Sequence, residues 1–212
     1  MIQKTGKKQT SADSKERILK NAAMLFAKKG YGCSGLRELA ALANVNPAMI
    51  NYFFGSKKEL LKEIIAAFFS GYLEVARREL KGNEKVSVKL DRFIHGAVKY
   101  FSSNPEYLLV TITELPHDDP DIIEYKASFG RQMAAIVDEQ LNTGSSDIKV
   151  DIPPSAVFCS MLTSMMASRF LFSPVMERVQ PITGEISREG YADIVSRIFI
   201  NGVSDKTGEE WV

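Results

Sequence analysis

Residues 34–61, SGLRELAALANVNPAMINYFFGSKKELL, decide the fold. Ser34 is a favourable N-cap, and Leu36, Leu39, Ala40 and Ala43 then recur at i, i+3, i+4, i+7, the spacing of one apolar helical face. Arg37, Glu38 and Ala41 are left outward. The run halts at Asn44-Val45-Asn46: Asn44 tolerates the left-handed conformation a tight turn needs, and Asn46 before Pro47 supplies an N-cap and a first helical residue with its φ already set. In the helix that starts at Pro47, Ile50, Phe53 and Phe54 face inward, while Asn46, Ala48, Met49, Asn51 and Tyr52 stay open to a partner. Gly55 breaks it. Ser56-Lys57-Lys58-Glu59 is a capping box that opens the next helix, and Lys57 in its first turn opposes the helix dipole, which suits a nearby phosphate. Two short helices across a tight turn, backed by a longer third, form the arrangement that presents one helix to a DNA groove.

Upstream, Asp13 to Glu16 read as a second capping box, and Ile18, Ala22, Leu25 and Phe26 mark the inner face of a first helix stopped by Gly30. Charge supports the same reading independently. Residues 1–65 carry 12 Lys+Arg against 5 Asp+Glu, whereas the remainder carries 15 against 21, so a net charge of +1 conceals a basic end and an acidic one. Anionic DNA is drawn to the first and held off the second.

From residue 15 to residue 65 the chain resembles the TetR-type transcriptional regulators. ILKNAAMLFAKKGY, LRELAALANV and PAMINYFFGSK are similar to that family's first three helices, and an aromatic pair, a glycine and Ser-Lys directly after the recognition helix are specific to it. The resemblance implies DNA contacts from Ser34, Arg37, Pro47, Ala48, Met49, Tyr52 and Lys57; Gly35, Asn46 and Asn51 beside them complete the candidate DNA face. Two positions depart from the family pattern, which often has Gly at Asn44 and Tyr at Asn51. Asn44 still satisfies the turn; Asn51 either alters base preference or faces a phosphate.

A chain of 212 residues with 45% hydrophobic content can bury a substantial core in one or two domains. No apolar run reaches the roughly 18 residues that cross a bilayer and the N-terminus has no signal-peptide core, so the expected setting is cytoplasmic, without a membrane. Cys33 and Cys159 are too few for a disulfide framework and read as two reduced thiols. His117-Asp118-Asp119 ahead of Pro120 reads as a turn with a helix N-cap rather than a metal site, and His95 as a satisfied core or pocket histidine. With no nucleophile elbow, phosphate-cradling loop or triad, neither catalysis nor a cofactor is expected.

The remainder reads as helical throughout, over 57–81, 86–103, 105–115, 119–142, 154–173 and 186–203. The expected architecture is therefore all-α: a helix-turn-helix DNA-binding domain at 12–72, motif at 35–54, then a helical-bundle ligand-binding and dimerisation domain at 73–212. Large polarizable side chains at helical spacing suit either a bundle core or a cavity for an apolar or aromatic effector. The candidates for the cavity are Phe68, Tyr72, Phe93, Tyr100, Phe129, Met133, Met161 and Met165, with Thr111, Glu114 and His117 as polar groups. Small residues Ala156, Ser160, Thr163 and Ala167, and the stripe Tyr191, Ile194, Val195, Ile198 and Phe199, are the candidates for the homodimer interface that the resemblance implies. Such a dimer reads an approximately palindromic operator of double-stranded DNA, most simply as a repressor released by its effector. Two rivals stand beside it: an architectural or protein-controlled DNA binder of the same fold, and a helical carrier or enzyme whose basic terminus is incidental.

Overall fold

The computed structural model describes residues 11–113, 119–141, 155–179 and 188–203, and every regular element among them is a helix. In order these are α1 (Ser11–Lys29), α2 (Leu36–Leu42), α3 (Pro47–Phe54), α4 (Lys57–Glu79), α5 (Val86–Ser103), α6 (Pro105–Thr113), α7 (Pro120–Leu141), α8 (Ser155–Val179) and α9 (Arg188–Val203).

The local signals act largely as read, with three exceptions. α1 starts at Ser11, so Asp13 sits in its first turn, where a carboxylate favours the dipole, rather than at a cap. Gly30 ends it at φ +83°, donating its N–H to the Phe26 carbonyl at 2.8 Å. Ser34 does not cap α2: that place belongs to Gly35, while the buried Ser34 donates its hydroxyl to the Gly30 carbonyl at 2.7 Å and ties the turn to the end of α1. Asn44 takes φ +50°, and Arg17 reaches across from α1 to donate to the Ala43 carbonyl at 2.7 Å, holding that turn. Asn46 caps α3 by accepting from the Ala48 N–H at 2.9 Å, and Gly55 closes it at φ +75°. Ser56 accepts from the Glu59 N–H at 3.1 Å. The return arm of that box is not made, because the Ser56 N–H goes to Phe54 and the Glu59 carboxylate to Lys62.

Two apolar clusters meet along α4. The first joins α1, α2, α3 and the start of α4 around Ile18, Phe26, Leu39, Ile50 and Ile64, and it also takes Val110 from α6 and Ile122 from α7. The second begins at Phe68 and gathers the rest of α4 with α5, α7, α8 and α9. The change of cluster thus falls inside a continuous helix, between Ile65 and Phe68. Gly71 lets α4 and α5 approach: a Cβ there would come within 2.4 Å of the Tyr100 hydroxyl. Lys89 is fully buried and donates to the carbonyls of Gly82 (3.1 Å) and Gln140 (2.5 Å), fixing α5 to the end of α7. His95 joins α5 to α9, with ring nitrogens at 2.9 Å from the Asp91 carbonyl and 3.0 Å from the Asp193 carboxylate. Burial alone would lower its pKa, but these acceptors outweigh that and raise it above 6.5.

α8 corrects two expectations. It does not stop at 173 but continues through Pro174 to Val179; proline's fixed φ is itself helical, so the helix persists although Pro174 forfeits its ladder bond and its ring crowds the carbonyl one turn back. Its segment Ser155–Val175, with mean hydropathy 1.3, is long and apolar enough by length and composition to cross a membrane, and 22% of it is buried within the chain. Serines break up the apolar run in sequence, yet Ser160, Ser164 and Ser168 donate their hydroxyls to carbonyls of the same helix, which mutes their polarity.

Candidate nucleic-acid interface and ligand cavity

The exposed side of α3 is built by its inner side. Ile50 and Phe54 are buried, which turns Pro47, Ala48, Asn51 and Tyr52 outward, Tyr52 to 80% exposure, with Asn46 exposed at the cap and Met49 half-buried beside it. Gly35 and Arg37 are exposed on the neighbouring α2. Lys57 opens α4 but is folded back: its ammonium donates to the Tyr31 carbonyl and lies 4.3 Å from the Tyr31 ring centroid. Ser34, buried with its hydroxyl already donated, does not present that group on this face.

A second site opens between α4, α6, α7 and α8, a cavity of about 330 Å³. Phe69 and Tyr72 enter from α4, Ile112 from α6, and Phe129, Gly130 and Met133 from α7. Phe69 and Phe129 stack at 4.9 Å and 9°, and both also touch the α1–α4 cluster. The α8 wall is made of the small residues expected at a dimer interface: Ala156, Ser160, Thr163 and Ala167, together with Ser164, Cys159 and Leu171. Small side chains there leave room. The Tyr72 and Thr163 hydroxyls are hydrogen-bonded at 2.9 Å, burial pushes the Cys159 thiol up to about 11, and no charged side chain lines the cavity among the described residues.

Of the ligand candidates, Tyr72, Phe129 and Met133 meet here, and the other described ones do not line the cavity. Phe68 is core, 2% exposed; Phe93 stacks behind Tyr72 at 5.8 Å; Tyr100 donates to the Phe68 carbonyl at 2.9 Å. Thr111 is buried with its hydroxyl unpaired among the described residues, but it does not reach the cavity. Met165 packs into the second cluster, and Met161 is 55% exposed. Glu114 and His117 lie outside the described residues. Phe69, Ile112, Gly130, Cys159, Ser164 and Leu171 also line the cavity, and they carry no periodic signal that separates cavity from core. Asp119 proves to be a cap, accepting from the N–H groups of Asp121 (3.1 Å) and Ile122 (3.3 Å).

The dimer stripe also divides. Ala167, Val195 and Phe199 fill the chain's own core at 0, 3 and 6% exposure, and Tyr191 donates its hydroxyl to the Met165 carbonyl. Ile194 is half-buried and Ile198 is 58% exposed. Val157, Met161, Phe172 and Val175 of α8 are exposed too, so five of the ten exposed large hydrophobics among the described residues lie on α8 and α9. The α8 four keep near-heptad spacing, a stripe turned roughly 110° from the cavity wall at 100° per residue.

A compact three-helix unit whose second and third helices join across a left-handed turn, with the third helix's outer side uncovered, defines a helix-turn-helix DNA-binding protein. Residues 18–64 match the family described as bacterial regulatory proteins, tetR family. The chain is 24% identical over 161 residues to the probable HTH-type transcriptional regulator YttP of Bacillus subtilis, covering 74% of this chain and 77% of that one. It is 30% identical over 118 residues to the HTH-type transcriptional repressor NicS of Pseudomonas putida, and spans 54% of that protein's length and of its own. A tetR-family regulatory protein from Rhodococcus RHA1 shares the fold at a TM-score of 0.70 and 18% identity, with 90% of this chain and 97% of that one covered. Residues 18–64 thus match a TetR-family DNA-binding domain, and the chain as a whole is similar to DNA-binding transcriptional regulators.

Proposed function

We propose that the protein is a repressor that binds an approximately palindromic operator as a homodimer and is released by a small apolar or aromatic effector. The observation that carries the effector reading is the Phe69–Phe129 pair, which is at once a wall of the cavity and a neighbour of the reading-head core. Each protomer inserts α3 into a major groove. Pro47, Ala48, Met49, Asn51 and Tyr52 meet bases and backbone, and Gly35, Arg37, Asn46 and Lys57 meet phosphates, Lys57 after leaving Tyr31. Ser34 shapes the turn instead. A second copy covers Val157, Met161, Phe172, Val175 and Ile198, setting the two α3 helices roughly 34–36 Å apart. Ligand that fits better when α7 and α4 have shifted then favours a dimer whose spacing no longer matches the groove. A fully packed second cluster would have favoured control by a protein partner; the cavity favours a small molecule.

The test is operator titration across salt. Affinity should fall steeply from about 50 to 200 mM salt, and Lys57→Ala should weaken all DNA sequences alike while lowering the salt slope by about 1. A salt-independent constant, or a loss confined to one operator position, overturns this assignment of the DNA face.

A further inference from the structure

Two hydroxyls in the cavity hold one hydrogen more than they use. Tyr72 Oη and Thr163 Oγ1 lie 2.9 Å apart, so one donates to the other, and neither makes a further hydrogen bond among the described residues. Two O–H groups serving one bond leave one donor unmatched. Tyr72 is 3% exposed and Thr163 half-buried, so this donor is poorly placed for solvent and is costly while unused. No other polar group of the cavity takes it among the described residues: the Ser160 and Ser164 hydroxyls are turned onto α8 carbonyls and make no hydrogen bond with the Tyr72–Thr163 pair, and the Cys159 thiol stays neutral.

Shape and charge narrow the occupant. The stacked Phe69 and Phe129 rings make a flat apolar wall, and the small side chains of Ala156 and Ala167 line α8. A volume of about 330 Å³ is at the lower end of the range for small-molecule sites, roughly 300–1,000 Å³. An ionised group drawn inside would lose its hydration and find no opposite charge among the described residues.

We propose that the cavity selects an uncharged aromatic molecule of about two rings bearing one acceptor oxygen, a ketone or its equivalent, which takes the spare hydroxyl hydrogen of the Tyr72–Thr163 pair. This rests on the reading of the cavity as the effector site, and it adds the chemical class. Three probes separate the terms: benzophenone, diphenylmethane without the carbonyl, and diphenylacetate with a charge. By calorimetry on the full-length protein at neutral pH, benzophenone should bind about 5- to 10-fold more tightly than diphenylmethane. It should bind diphenylacetate at least about 100-fold more weakly than benzophenone. The double variant Tyr72→Phe, Thr163→Val, which keeps the cavity's shape, should bind benzophenone and diphenylmethane equally, while Thr163→Ser retains the preference. Equal binding of diphenylacetate, a ketone preference that survives the double variant, or no binding of any probe overturns the proposal. If the order holds but benzophenone leaves operator affinity unchanged, the ligand class stands and the regulatory reading fails.

Discussion

Asn44 carries the geometry of the reading head on one backbone angle. Its φ of +50° lies in the left-handed region, where a β-branched side chain is strained by roughly 1–2 kcal/mol and glycine is at ease. Asn44→Val should therefore destabilise the folded protein by about 1–2 kcal/mol, and Asn44→Gly should be near neutral. Chemical denaturation of both variants checks this; a valine variant as stable as the parent would mean that Arg17, bonded to the adjacent Ala43 carbonyl, re-forms the turn another way. The turn was legible in the sequence because asparagine's tolerance of this conformation is local chemistry. The misreading of Ser34 has the same root. A serine ahead of a helix reads as a cap, but the end of α1 offered its hydroxyl an acceptor that only the folded turn brings near.

At the scale of elements, α7 joins the cavity to the reading head. Phe129, Gly130 and Met133 line the cavity, while the start of α7 is held against α4 by charge: Lys58 lies 2.8 Å from Asp119 and 2.9 Å from Asp121, and Lys62 lies 2.8 Å from Asp121. Lys58 follows Lys57, the expected phosphate contact. Lys58 beside Asp119, and Lys62 with Lys58 beside Asp121, hold both carboxyls below their ordinary value of 3.8. The latch is thus complete at neutral pH, and its contribution disappears only as acid carries the pH down through these lowered values. Such exposed pairs add little stability, so their effect is positional. Asp121→Asn should leave the melting shift caused by a cavity ligand intact while reducing operator release several-fold; full release in that variant would remove α7 from the path. The network was out of reach of sequence reading because its lysines and aspartates stand about sixty residues apart and meet only once α4 and α7 pack.

For the whole molecule the sharpest prediction concerns assembly. Ile198 is 58% exposed in the single chain, so Ile198→Glu should give a folded, soluble monomer with normal helix content and operator affinity lowered by well over 10-fold. Phe199→Glu, one residue on but 6% exposed, should instead disrupt folding. Light scattering with circular dichroism distinguishes them, and an unchanged dimer from Ile198→Glu places the interface elsewhere. In the proposed dimer a second α8 covers this apolar helix, and the cavity wall beside the stripe would bring ligand and partner close together.

Helix count, turn chemistry and the inward face of each short helix were determined by the sequence alone, since propensity, caps and 3.6-residue periodicity act over neighbouring residues. Periodicity shows that a face is apolar; it does not show what the face meets. Val195 and Phe199 entered their own core, Ile198 remained outside, and Ala156, Ser160, Thr163 and Ala167 line a cavity. Those assignments depend on where α5, α7 and α9 close around α8, which is a property of side-chain volumes brought together from distant parts of the chain and so was decided only by the tertiary structure.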